Sequence, residues 1–283
     1  MQTRALRFLY APAVLAFAAS LLLATPVRAQ FQRRATATDD AAPGEIYHVE
    51  GAIGFWSPGA DILVTSGGSG VLTGIAGTTI DAKADLGLVD QRFPEFHVEF
   101  RPVRKHKLRF QYIPISYEQS STLRREIVFN GQRYQVGLPT ASTLDWKAYR
   151  FGYEYDFITT ERAYGGVILD FKYTDVTVNL KSPLVTEFAE ARAPIPALGG
   201  VVRFYVVPAI SITGEVTGFK LPEGAIKDSS GHYVDVDIYG TLNFTKSVGF
   251  QAGFRSFDVG YLTRTDAGSF VLKGLFLGVV ARY

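Results

Sequence analysis

The feature that most constrains this chain is an alternation of side-chain character with period two. Between residues 147 and 157, Tyr149, Phe151, Tyr153, Tyr155 and Phe157 share one parity, and Arg150, Gly152, Glu154 and Asp156 share the other. Successive side chains of a strand point to opposite faces, so this stretch reads as a β-strand with an aromatic face and a charged face. The division recurs. Val167, Leu169, Phe171 and Tyr173 oppose Ile168, Asp170, Lys172 and Thr174, and Phe96, Val98 and Phe100 oppose His97, Glu99 and Arg101. Leu108, Phe110 and Tyr112 oppose Arg109 and Gln111; Val234, Val236 and Ile238 oppose Asp235, Asp237 and Tyr239; Val248, Phe250, Ala252 and Phe254 oppose Gln251, Gly253 and Arg255. Beyond residue 46 there is neither a 3.6-residue period nor an 18-residue apolar run, so the expected class is all-β.

The N-terminal region differs. Arg4 and Arg7 precede an apolar run from Phe8 to Leu23, and small residues stand at the −3 and −1 positions before a cleavage point after Ala29, the pattern of an export signal. Residues 30–45 lack an apolar period and read as a flexible periplasmic leader, leaving 46–283 as one domain. Removing 1–29 takes away three Arg and no acid, so the remaining chain has 26 basic and 27 acidic residues. Such a near-neutral chain lacks the basic footprint that nucleic acid requires, and the absence of Cys excludes thiolate metal sites and disulfide scaffolds.

Strands are expected near 46–57, 93–102, 106–118, 143–157, 163–179, 197–207, 209–220, 231–244, 247–260 and 269–283. The joints at 103–105, 158–162, Pro208 and Thr245-Lys246 are short. The intervening connections, including 58–92, 119–142 and 221–230, are longer, and a Pro-rich loop is expected around Ala193-Pro194-Ile195-Pro196. Ten strands are expected, with eight or twelve as alternatives because 58–92 is long enough for another hairpin. Nearly every strand carries three to five large apolar residues on one face, more than a narrow interior holds, so that face belongs outside, against lipid. The expected architecture is an antiparallel up-and-down transmembrane β-barrel.

The last strand, Lys273–Tyr283, carries Gly278, Val279, Ala281 and a terminal Tyr283. This resembles the C-terminal insertion signal of bacterial outer-membrane proteins, and the whole architecture is similar to the small OmpA-, OmpX- and OmpW-like barrels. The resemblance implies an outer-membrane location, recognition of the last strand by the barrel-insertion machinery, lipid as the surrounding partner, and a monomer. On this reading Phe100, Phe110, Tyr149, Phe151, Tyr153, Tyr155, Leu169, Phe171, Phe250 and Phe254 face lipid. Trp56, Tyr117, Trp146 and Tyr283 suit the aromatic girdles at the bilayer surfaces.

The opposite face then lines a lumen. It receives Glu50, Glu95, Glu99, Glu154, Asp156, Asp170, Glu215, Asp235 and Asp237 against Arg101, Arg109, Arg150, Lys172, Arg203, Arg255 and Arg282. Buried charges persist when paired, so the expectation is a charge network that fills the barrel, with a structural or loop-mediated role; Arg150 and Glu154 are expected to join Asp170 and Lys172 across one hairpin. Two alternatives stand beside it: a narrow solute channel, and a lipid-modifying enzyme. For the enzyme, only His232, between Asp228-Ser229-Ser230 and Asp235, has a hydroxyl and a carboxylate nearby at an external strand end. His97, between Glu95 and Glu99, has metal-ligand character but more simply pairs with carboxylates. No cofactor and no metal are expected. The Gly67-Gly68-Ser69-Gly70 run lacks the Lys-Ser/Thr and helix of a phosphate loop. The segment Thr78–Leu88 either begins a strand or decorates the first connection.

Overall fold

The computed structural model describes residues 42–68, 74–222 and 228–283; the expected export signal and residues 30–41 of the expected leader lie outside them. Thirteen strands follow a short 3-10 turn at Pro43–Glu45: β1 Val49–Ser66, β2 Ile80–Asp81, β3 Phe93–Val103, β4 His106–Thr122, β5 Ile127–Phe129, β6 Gln132–Tyr134, β7 Pro139–Thr159, β8 Ala163–Lys181, β9 Thr186–Val207, β10 Ile210–Lys220, β11 Ser230–Asn243, β12 Val248–Leu262 and β13 Asp266–Arg282. Ten of them form an antiparallel ring in chain order, closed where β13 pairs with β1 from Glu50↔Arg282 to Ser66↔Asp266. Closure leaves no edge strand in the ring, although single stretches such as the start of β9 outrun one neighbour. Two-residue β2 adds to the upper part of β1, and β5 and β6 form a separate hairpin. The joints at 104–105, 160–162, 208–209 and 244–247 lie at one end of the barrel, called here the turn end; the other, the loop end, carries the long connections 67–92, 123–138 and 221–229 together with two short turns at 182–185 and 263–265.

The strands are longer than the alternation suggested, because the alternation changes phase rather than stopping. In β7 the inward, buried positions at the turn end are Arg150, Gly152, Glu154 and Asp156, with Phe151, Tyr153 and Phe157 exposed outward. Nearer the loop end the same inward parity carries Leu144 and Trp146, while Asp145 and Lys147 point outward. Strand β4 changes in the same way, from inward Lys107, Arg109 and Gln111 to inward Ile113, Ile115 and Tyr117. So do β1 at Phe55/Trp56 and β13 at Lys273/Leu275. The barrel therefore consists of a zone with a charged interior and an apolar exterior, and a zone built the other way round, like a water-soluble protein.

This phase change corrects the aromatic-girdle expectation for three residues. Trp56, Tyr117 and Trp146 are 1%, 2% and 2% exposed and belong to the apolar interior of the loop-end zone. Outward tyrosines do collect where the phase changes: Tyr112 stacks on Tyr149 at 4.7 Å, and Tyr149 lies 6.5 Å from Tyr173.

The Pro-rich stretch at 193–196 is strand, not loop. Pro194 and Pro196 pair with Tyr173 and Phe171 of β8, but β9 meets β10 only from Leu198 onward. On that one-sided stretch a missing N–H costs no ladder bond when it faces away from β8. Pro58, Pro94 and Pro114 follow the same rule, each lying in a strand beyond the reach of one of its two neighbours. The long connection after β4 also holds structure. Asn130 and Gly131 adopt φ of 50° and 78°, the left-handed conformation that a two-residue hairpin turn requires, and they join β5 to β6. Thr78–Leu88 supplies β2 and then a turn in which the Asp81 carboxylate accepts from the Lys83 and Ala84 amides at 2.9 Å.

Candidate functional site

Among the described residues, the interior gathers most of the buried ionisable side chains. Inward parity in the turn-end zone delivers them from every strand of the ring, and their positions interlock. Lys107 Nζ donates to Glu154 Oε1 at 2.6 Å and lies 3.1 Å from Asp156. Arg109 spans Glu154 at 3.1 Å and Glu215 at 2.6 Å. Arg150 donates to Glu215 and reaches Asp170 at 2.6 Å, and Lys172 continues to Asp170 at 3.8 Å and Asp235 at 3.0 Å. Arg255 bridges Asp237 at 2.5 Å and Glu95 at 2.9 Å, and Arg282 binds Glu50 at 2.5 Å across the closing seam. Arg150, Asp170 and Lys172 meet across the β7–β8 hairpin, and Glu154 joins them through Arg109 and Glu215 rather than by direct contact with Arg150.

Glu99 connects the network to the turn end. It lies 3.9 Å from both Lys107 and Arg109 and accepts from the Tyr47 hydroxyl. Residues Ala42–Tyr47 cross the turn-end mouth as a strap. Glu45 accepts from Arg101 at 3.0 Å, Arg203 at 2.8 Å and Tyr205 at 2.9 Å, and Ala42 packs with Tyr164 and Tyr205. A side chain at Gly44 would start 2.7 Å from the Tyr205 hydroxyl, so the strap passes where only glycine fits. Glu45 and Lys107 were absent from the set expected to line the lumen. Lys107 shares the parity of Arg109 within the expected 106–118 strand, a usable signal; Glu45 has no periodic signal at all.

Above the charges lies the apolar interior, capped by the β5–β6 hairpin. Ile127, Phe129 and Tyr134 are at most 1% exposed and point into it. The hairpin is fastened by the Tyr134 hydroxyl to the Leu180 carbonyl at 2.9 Å, by Asn130 to Glu187 at 3.0 Å, and by Arg125 to Asp85 at 2.5 and 2.7 Å. The Arg125 hydrogen bonds hold the Asp85 carboxyl below its ordinary value of 3.8. The Asp90 carboxyl is lowered too, first by a hydrogen bond from Lys83 and then by one from the Ala60 amide.

The remaining candidates separate. His232 Nε2 lies 3.1 Å from Asp258 on the outer surface, whereas Asp235, one of the acids flanking it in sequence, is inside the barrel on the other parity. His97 lines a small polar cavity of about 40 Å³ in the lumen together with Glu95, Arg109 and Gln111. Among the described residues no His, Cys, Asp and Glu side chains cluster in a way that could hold a metal. Of the insertion-signal residues, Val279, Ala281 and Tyr283 point outward beside β1, and the Tyr283 amide and carbonyl bond to Val49 at 2.8 and 2.9 Å.

The sequence matches no protein-family model and no curated protein sequence. Solved structures do share its shape. The outer-membrane protease OmpT of Escherichia coli superposes with a TM-score of 0.57 at 6% identity, over 83% of this chain and 96% of that one. The toluene transporter TodX of Pseudomonas putida gives 0.35 at 9% identity over 83% and 90%, and the attachment invasion locus protein Ail of Yersinia pestis gives 0.34 at 10% over 81% and 97%. The OmpT likeness, taken with the ten-stranded antiparallel closure, gives this chain the fold of a bacterial outer-membrane β-barrel.

Proposed function

We propose that the protein resides in the outer membrane as a non-enzymatic, sealed barrel that holds its loop-end zone outside the cell, where that zone contacts partners. The observation that carries this reading is the continuous chain of ion pairs from Glu99 to Asp235, which spans the lumen beneath an apolar core and leaves no wide aqueous path. A narrow barrel filled with paired charge is rigid, and an ion entering it would have to displace pairs that lack water to replace them.

The outward apolar rows set the depth of the barrel in the membrane. Tyr149 to Phe157 takes eight steps of about 3.3 Å, or roughly 20 Å along the normal at a tilt of about 40°, close to the apolar band of such barrels. Phe100, Phe110, Phe151, Leu169, Phe171, Phe250 and Phe254 belong to this lipid-facing belt. Pro139–Lys147 of β7 then rises about 20 Å further, with polar residues outward. On this reading residues 1–29 direct export, the strap lies on the periplasmic side, the last strand is what the insertion machinery recognises, and the protein is a monomer.

Planar-bilayer recording tests the sealed lumen. The purified protein is expected to insert without stepwise ion conductance. Reproducible single-channel steps would replace this reading with the narrow-channel alternative.

A further inference from the structure

The apolar interior of the loop-end zone contains more than stable packing needs. Two small cavities remain in it, one of about 30 Å³ against Phe129 of the hairpin and Tyr117 of β4, the other of about 40 Å³ against Trp146, Thr174 and Phe257. Three polar atoms of these linings, the Tyr117 hydroxyl, Trp146 Nε1 and Thr174 Oγ1, are buried without a hydrogen-bond partner. An unpaired buried donor is costly, and a core selected only for stability replaces such groups or pairs them. Trp146 Nε1 is a donor only and the two hydroxyls can donate as well as accept, so an acceptor is the one kind of group that would satisfy all three.

The ceiling of this interior is also detachable in principle. The β5–β6 hairpin has its own two-stranded ladder and no place in the ring of the barrel. It could move as a unit about Gly137, whose φ is 81°, by releasing its bonds to Ser66, Leu180 and Glu187 while the strand-to-strand ladder of the ring stays intact. Its departure would vacate the volume now filled by Ile127, Phe129 and Tyr134, joining it to the cavity beneath Phe129. The floor stays closed, because Lys172 and Arg150 of the charge network lie under Trp146.

We infer that this interior is a binding chamber for a small, mostly apolar molecule bearing a hydrogen-bond acceptor, and that the β5–β6 hairpin is its lid. The apolar walls take the body of the molecule, and Trp146 or Tyr117 donates to its acceptor. Entry is from the loop end only, so occupancy is compatible with a barrel that does not conduct.

The probe is 4-fluoroacetophenone, a ring with a single carbonyl acceptor, followed by fluorine NMR line broadening with the full chain in lipid nanodiscs and with protein-free nanodiscs as background. Wild type is expected to broaden the signal saturably above background. Trp146→Phe should weaken binding by about tenfold, the order expected for one lost hydrogen bond, and 4-fluorotoluene, which has no acceptor, should bind wild type and this variant equally. The lid is tested separately with a cysteine pair, Thr78→Cys with Val128→Cys, at positions where the Thr78 amide donates to the Val128 carbonyl at 2.9 Å. The natural sequence has no cysteine, so a disulfide there would be the only one. Oxidation should abolish binding and reduction restore it. Broadening no greater than in protein-free nanodiscs, equal binding by the oxidised and reduced lock, or an unchanged affinity in both Trp146→Phe and Tyr117→Phe would each overturn the inference.

Discussion

Arg150 is the best single probe of whether the lumen is filled. It serves two carboxylates, Glu215 and Asp170, and all three groups are at most 6% exposed. On Arg150→Ala, Glu215 keeps Arg109 at 2.6 Å, whereas Asp170 retains only Lys172, at 3.8 Å and already engaged with Asp235. The loss therefore falls on Asp170. Stranding a buried charge in this way costs about 3–5 kcal/mol, while replacing both members of a buried pair by apolar residues of similar size is often near neutral. Arg150→Ala should accordingly lower the urea midpoint of the protein in lipid vesicles by an amount equivalent to about 3–5 kcal/mol, and Arg150→Met combined with Asp170→Leu should recover most of it. Neither variant should conduct. If the lumen were a wet pore, water would solvate the stranded carboxylate: an unchanged midpoint for Arg150→Ala, accompanied by cation-selective conductance, would refute the filled-lumen reasoning.

Other outcomes are expected elsewhere. Phe151→Arg places a charge in the outward belt and should cost about 2–4 kcal/mol, whereas Thr143→Arg, outward on the same strand but above the phase change, should cost less than about 1 kcal/mol; equal effects in a vesicle-folding titration would misplace the membrane boundary. Gly44→Val collides with the Tyr205 hydroxyl and should unseat the strap, exposing residues 42–47 to a periplasmic-side protease while the barrel keeps its heat-modifiable gel mobility. Gly131→Val conflicts with a φ of 78° and should raise amide exchange across 127–134 without altering exchange in β7 or β8. Because Asp85 is held below 3.8 by Arg125, its contribution to anchoring the hairpin is present above that value and lost as pH falls through the lower folded value. Exchange at 125–134 should therefore rise only at strongly acid pH, and Asp85→Asn should show the raised level at neutral pH.

The ten-stranded ring was legible because large aromatic and charged residues alternate without interruption in the belt, as at 149–157. What escaped reading follows from the same period. A strand whose apolar parity switches, as β4 does between Tyr112 and Ile113, still alternates, but a scan that follows one face sees it end. Trp146 and Tyr117 consequently looked like surface anchors although they are core. The beginning of β9 pairs outward Glu190 and Arg192 with inward alanines, a contrast of volume too small to register, and its prolines read as a loop because an open strand side cannot be known before the neighbours are placed. The hairpin was within reach: Asn130-Gly131 between Ile127-Val128-Phe129 and Gln132-Arg133-Tyr134 is a strong short-range turn signal. The charged face was legible strand by strand, but the partner of each charge was not, since Arg109 meets Glu215 across the lumen and 106 residues along the chain.

On the proposed placement, the phase change in β1, β4, β7 and β13 makes the barrel a marker of one surface of the bilayer. A single switch from apolar to polar outward residues, repeated on neighbouring strands, fixes one plane with little tolerance: sinking by one outward row would pull Lys147 and Lys273 into hydrocarbon, and rising by one would wet Tyr149 and Leu275. Hydrophobic mismatch with a thicker membrane cannot be relieved by sliding, so it must be met by tilting the whole barrel or thinning the surrounding lipid, at a fraction of a kcal/mol per Å. On that placement, a mismatch met by thinning the lipid rather than by tilting leaves the loop-end zone at the same height above the bilayer surface.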